Sequence, residues 1–98
     1  MTANETGEFE FKTEASRVWF EDAEGRLLAE VDFPALDAKT VDINHTFVDD
    51  SLRGRGVAGR LMEAVAAELR RTGKKARLSC SYAAGWFPRH PEFADVVA

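Results

Sequence analysis

The residues with the clearest capacity for chemistry lie between Leu52 and Leu61, where Arg53-Gly54-Arg55-Gly56-Val57-Ala58-Gly59-Arg60 packs three glycines and three arginines into eight positions. An alternating apolar run, Val41 to Val48, precedes this stretch, and an amphipathic run ending near Arg71 follows it. A glycine turn between a strand and a helix brings unsatisfied backbone N–H groups to one point. The aligned peptide dipoles of the helix make that point attractive to anions. Gly54, Gly56 and Gly59 lack Cβ, so a phosphate can approach the backbone closely. Arg53, Arg55 and Arg60 add charge. The pattern predicts a phosphate cradle; the plainer reading is a surface turn punctuated by glycine and solubilised by arginine.

Elements on both sides must hold that turn. Phe9 and Phe11 alternate with Glu8, Glu10 and Lys12, the period of a half-exposed strand. Arg17 to Glu21 reads as extended, with Val18 and Phe20 on one side and Trp19 on the other, and Asp22-Ala23-Glu24-Gly25 reads as a hairpin turn. Leu27, Ala29, Val31 and Phe33 form the apolar phase of the next strand, and Pro34 to Lys39 connects onward. Thr40 to Val48 reads as one strand, with Val41, Ile43, His45 and Phe47 sharing a face. Val57, Ala58, Leu61, Met62, Val65, Ala66 and Leu69 recur at helical spacing, and Gly73 is the expected C-cap. A strand from Ala76 to Tyr82 follows, with Leu78, Cys80 and Tyr82 on one face. Ala83 to Phe87 forms a short helix stopped by Pro88. The expectation is an α/β (α+β) chain: an antiparallel N-terminal meander, then one right-handed βαβ crossover joining parallel strands.

Length and composition narrow the classes. Ninety-eight residues predict a single domain, here 8–96 behind a flexible tail at 1–7. Chains this size bury roughly two-thirds of their unfolded surface, enough for a core without metal or disulfide. Cys80 is the sole cysteine, which excludes an internal disulfide, and no Cys/His grouping has zinc-site spacing. No long apolar run predicts a membrane span, and the polar, acidic start is unlike a signal peptide. The default expectation is a cytoplasmic monomer.

Residues 1–50 hold four Lys/Arg against thirteen Asp/Glu, and residues 51–98 hold nine against four. That asymmetry favours an anionic ligand on the C-terminal half. Nucleic acid is not expected, because the arginines lack interleaved aromatics and the chain is acidic overall, at −4.

Among phosphate motifs, Gly54-x-Gly56-x-x-Gly59 satisfies the dinucleotide fingerprint only as a bare pattern. The following strand ends Ser79-Cys80-Ser81-Tyr82 without the acid that fingerprint needs, and no Gly-Lys-Ser/Thr follows the turn. Arg53-x-x-Gly56-x-Ala58 instead resembles the (Gln/Arg)-x-x-Gly-x-(Gly/Ala) signature of the GNAT superfamily of acetyltransferases. With His45-Thr46-x-Val48, Cys80-x-Tyr82 and Arg89-His90-Pro91-Glu92-Phe93, the order of landmarks is similar to that of a small GNAT-like subfamily of about a hundred residues. The likeness covers about residues 8–96.

The resemblance implies a minimal GNAT-like fold and acetyl-CoA as co-substrate. The strands matching Thr40–Val48 and Ala76–Tyr82 would splay at their C-terminal ends and admit the pantetheine arm, which pairs with backbone near Phe47 and Val48. Amides around Arg55, Gly56, Val57, Ala58 and Gly59 would hold pyrophosphate, flanked by Arg53, Gly54 and Arg60. Arg60, Lys74 or Lys75 stands as the candidate for the 3′-phosphate.

The implied activity is transfer of acetyl to an unidentified amine, from a small molecule or a protein. A non-catalytic acyl-CoA-binding module is the alternative. The chain lacks the helices that usually sit between the first two strands, and Phe47 stands where the small subfamily has a glutamate. Cys80 is either a nucleophile that carries acetyl or a packed pocket residue. Tyr82 either protonates the departing thiolate or is a core tyrosine. His45 is either a base or a hydrogen-bonded core histidine. His90 either lines the pocket or orients the tail. Asp49 and Asp50 offer charge to a cationic acceptor.

Overall fold

Alternation of apolar and polar side chains builds the first half of the chain, and the computed structural model describes residues 10–98. The tail at 1–7, Glu8 and Phe9 lie outside the described residues. Strands β1 (Lys12–Glu14), β2 (Arg17–Glu21) and β3 (Leu27–Asp32) form an antiparallel meander. The β2–β3 hairpin closes where Gly25, at φ 84°, takes a left-handed conformation and donates to the Asp22 carbonyl at 2.9 Å. Val18, Ala29, Val31 and Phe33 are fully buried, as their spacing predicts.

The expected single strand over Thr40–Val48 is two. β4 (Thr40–Ile43) and β5 (His45–Val48) are separated at Asn44 and belong to different sheets. β5 pairs antiparallel with β3, while β4 pairs parallel with β6 (Lys75–Leu78). The Asn44 N–H donates to the Asp32 carbonyl at 3.1 Å, and His45 is also the register partner of Asp32. Two residues therefore oppose one, which is a β-bulge. An extra residue reverses the phase of all that follows. Val41 and Ile43 are buried, but His45 and Phe47 are turned out to solvent, while Thr46 and Val48 take the half-buried side. His45 is thus not a core histidine, and the four residues do not share a face.

α1 (Val57–Thr72) buries Val57, Leu61, Met62, Val65, Ala66 and Leu69 against the inner side of the meander. Each fully buried Leu or Val contributes about 1.5–3 kcal/mol. The helix ends at Gly73 (φ 73°), with Gly73 and Lys74 both donating to the Leu69 carbonyl, a Schellman closure.

β6 stops at Leu78, four residues short of the expected end. The Ile43 carbonyl accepts from both Ser79 N (3.1 Å) and Cys80 N (2.9 Å), so the parallel ladder has nowhere further to run. Helix α2 (Ser81–Trp86) begins at once. Tyr82 is therefore a helical residue, and Leu78, Cys80 and Tyr82 do not lie on one strand face. The short helix begins at Ser81 rather than Ala83, because the strand ahead of it ends early.

3₁₀ turns over Phe87–Arg89 and Pro91–Val96 carry the chain back, and the Ala98 N–H donates to the Ala76 carbonyl at 2.8 Å on the open side of β6. No helix among the described residues is long and apolar enough to cross a membrane.

Candidate functional site

Where β4–β6 pairing ends and β5 continues beside β3 alone, the strands part. In an antiparallel ladder, alternate residues turn their backbone groups toward the partner. Asp49 N donates to the Leu28 carbonyl at 2.7 Å, so the odd-numbered positions of β5 face β3. The N–H and C=O groups of Thr46 and Val48 accordingly point to the unpaired edge. Across the gap stands Cys80, half-buried, with its Sγ 3.2 Å from Thr46 Oγ1.

The glycine turn heads the same gap. Asp50–Leu52 forms a 3₁₀ turn capped by Asp49, whose carboxylate accepts from Ser51 N (3.0 Å) and Ser51 Oγ (2.6 Å). Those bonds hold the Asp49 carboxyl below its usual range. Gly54 (φ 81°) and Gly56 (φ 72°) then take the left-handed conformation that lets the backbone reverse into α1. Arg60 N makes the helix's first bond, to the Gly56 carbonyl at 3.2 Å. The N–H groups of Val57, Ala58 and Gly59 precede it and have no acceptor inside the helix, and no side chain caps them. An open cavity of about 210 Å³ lies over them, lined by Val48, Leu52, Tyr82, Arg53, Gly54 and residues 56–59.

The predicted residues divide. Val48, Arg53, Gly54, Gly56, Val57, Ala58, Gly59 and Tyr82 all line this one cavity. Arg53 holds Asp50 at 2.6 Å, which raises the guanidinium above its ordinary range and leaves Asp50 paired. Arg55 N donates to the Leu52 carbonyl at 3.3 Å, within the turn itself. Arg60 lies in the first turn of α1 and is partly buried. Gly59 has helical backbone, and its bare Cα admits Trp86, whose Nε1 would sit 3.3 Å from an added Cβ. Tyr82 is 39% exposed, and partial burial pushes its phenol above its usual value, with Arg89 pulling weakly the other way. The hydroxyl stays protonated at neutral pH.

Phe47 and His45 face the other side of the sheet. They stand opposite Glu30 and Asp32 respectively, beside Arg17 and Trp19 of β2. Arg17 pairs with Glu30 and lies 4.2 Å over the Trp19 ring, and His45 Nε2 is 3.9 Å from Glu30 Oε1. The ligand-capable atoms of Glu30, Asp32 and His45 lie within 4.8 Å of one another, although one of the carboxylates is already held by Arg17. His90 is not in the cavity lining; it stacks on Trp86 (3.7 Å) and its Nδ1 meets the Trp86 carbonyl at 2.8 Å, so it orients the tail. Lys75 Nζ donates to the Asp95 carbonyl at 2.6 Å.

Thr46 and Trp86 escaped the reading of the sequence. Unbroken alternation from Val41 and Ile43 would place Thr46 on the opposite face, and Trp86 falls within the short expected helix without any signal of its own.

Comparison with known proteins agrees with this fold. Residues 9–96 match the model of a family described as GCN5-related N-acetyl-transferase. A solution structure of a GCN5-like protein from Staphylococcus aureus, itself proposed to be an N-acetyltransferase, superposes with a TM-score of 0.76 at 31% identity, over 92% of this chain and 88% of that one. A GNAT family N-acetyltransferase from Escherichia coli, in complex with CoA, shares the fold at a TM-score of 0.56 and 24% identity, over 63% of this chain and 38% of that one. Protein NATD1 of Xenopus tropicalis is 40% identical over 53 residues, which is 54% of this chain; the match spans about half the length of that relative.

Proposed function

The chain belongs to the GCN5-related N-acetyltransferase family, and from that premise we propose that it binds acetyl-CoA in the gap between β5 and Cys80 and transfers acetyl to an amine. One observation carries the reading: the unpaired edge of β5 runs from Thr46, in contact with the half-buried Cys80 thiol, to Val48, which lines the cavity over the acceptor-free helical N–H groups. The CoA complex of the E. coli relative supports the choice of ligand. Within the family, the Arg53-x-x-Gly56-x-Ala58 loop, Cys80-x-Tyr82 and Arg89–Phe93 point to the small subfamily.

The residues fit the co-substrate. Helical N–H groups at Val57, Ala58 and Gly59 hold the pyrophosphate, with Arg55 and Arg60 adding charge. The free N–H and C=O groups of Thr46 and Val48 pair with the amide arm, whereas Phe47, with its backbone turned to β3, shapes the opposite face. Acetyl-CoA supplies an activated acyl group.

Cys80, having released its proton to solvent, bonds through sulfur to the acetyl carbonyl carbon. As the carbon–sulfur bond to CoA breaks, the Tyr82 hydroxyl gives its proton to the leaving thiolate and is reprotonated from solvent. The neutral amine then attacks the acetyl-cysteine. The amine's proton passes to solvent, since His45 faces the other side of the sheet; the carbon–sulfur bond breaks, and the Cys80 thiolate returns.

Titration with acetyl-CoA, followed through backbone amide shifts and intact mass, tests this. Shifts centred on Arg55 to Gly59 are expected, with an adduct of about 42 Da, one acetyl group, that Cys80→Ala abolishes. Absence of shifts at millimolar ligand would overturn the assignment of the cleft. Shifts and turnover without an adduct would leave the cleft intact and remove Cys80 as carrier.

A further inference from the structure

We propose that Thr46 is the positioning residue for Cys80, donating its hydroxyl to the sulfur as negative charge develops there; the inference rests on reading Cys80 as the acyl carrier. Three observations support it. Thr46 Oγ1 and Cys80 Sγ lie 3.2 Å apart, although 34 residues separate them in sequence, and the contact crosses the point where the strands part. The bulge at Asn44 is what turns Thr46 to this side, since unbroken alternation from Val41 and Ile43 would send it outward. Its surroundings on that face are aliphatic: Val31 is its partner across β3, and Val48 lies two residues on. A valine would suit such a position equally well as a strand former, so the hydroxyl is the part of the side chain that packing does not require.

The chemistry follows from the donor inventory. While sulfur carries its proton, either atom of the pair can donate. Once the sulfur has given that proton to solvent it can only accept, and the Thr46 O–H becomes a charge-assisted donor. The bond then favours the form of Cys80 that attacks and fixes its rotamer toward the cleft. The bond is made by the Thr46 side chain, whereas its backbone is what faces the amide arm, so loss of the hydroxyl acts on the sulfur.

The test compares Thr46→Val, Thr46→Ala and Thr46→Ser. Alkylation of Cys80 by iodoacetamide, without CoA, reads the sulfur directly. Thr46→Val and Thr46→Ala should slow it about tenfold or more, the scale of a hydrogen bond to a charged group, while Thr46→Ser stays within about twofold of wild type. The acetyl adduct should form slowly only where the hydroxyl is missing. Should Thr46→Val prove unfolded, the comparison of Thr46→Ala with Thr46→Ser carries the same information. Wild-type alkylation rates in the valine or alanine variant, or an equal loss in the serine variant, would overturn the proposal. Hydroxyl-dependent alkylation without any acetyl adduct in the wild type would support Thr46 and instead refute Cys80 as carrier.

Discussion

Gly59 faces the indole of Trp86 so closely that a Cβ built on it would lie 3.3 Å from Nε1 and 3.9 Å from the Tyr82 hydroxyl. The last glycine of the turn thus serves the docking of α2 on α1, whereas Gly54 and Gly56 serve backbone conformation. In Gly59→Ala the gain in helix propensity, about 1 kcal/mol, offsets mild crowding, and stability should change by less than about 1 kcal/mol. Gly59→Leu cannot be accommodated and should cost about 2–3 kcal/mol in urea unfolding, with weaker CoA binding as Tyr82 is displaced. A leucine variant as stable as wild type would contradict the packing role.

Gly56 has open space where a side chain would go, but its φ of 72° is costly for any L-residue. Gly56→Ala should lose about 1–2 kcal/mol and weaken acetyl-CoA binding severalfold in calorimetry. Gly25→Ala, at φ 84° in the distant hairpin, should lose a similar amount of stability without touching affinity. Equal binding losses in both variants would argue against a phosphate cradle at Gly56.

Asp32 is raised above 3.8 by burial and by the neighbouring Glu30 charge, which outweigh His45 and Arg17. A carboxyl raised by folding contributes stability that is whole below its unfolded value and is lost as pH rises through its folded one. Asp32→Asn, always neutral, should therefore melt a few degrees higher at pH 7, with the gain fading as pH falls below about 4. Melting curves at both pH values check this, and a lower melting temperature at pH 7 would contradict it.

Arg70 binds Asp95 through two bonds (2.8 and 2.7 Å) and also donates to the Glu92 carbonyl at 2.6 Å, with Phe93 beneath its guanidinium. The pairing holds the Asp95 carboxyl below 3.8. Its contribution is present above that value and lost as pH falls through the lowered one. Asp95→Asn should lower the hydrogen-exchange protection factor of the Ala98 amide severalfold at neutral pH, and acidification through the lowered value should reduce that protection factor in wild type. Unchanged exchange would mean that the end of the chain is held by its backbone bond to Ala76 alone.

Much of this architecture is legible from residue order. The hairpin at Asp22–Gly25, the inward phase of β3, the helix from Val57 to its glycine stop and the strained turn ahead of it follow from period, propensity and the conformational freedom of glycine, which act over a few residues at a time. The break at Asn44 was not legible, because the alternation from Val41 to Phe47 reads equally well with or without a bulge. Only pairing on both edges decides it: β4 is held by β6, β5 by β3, and Asn44 absorbs the mismatch. The same event ends β6 at Leu78 through the doubly used Ile43 carbonyl, moves Tyr82 onto a helix, turns His45 outward and brings Thr46 to Cys80. Local sequence thus determined where the glycine turn lies, while the Thr46–Cys80 contact across the gap came from strand register, which depends on residues far apart in the chain.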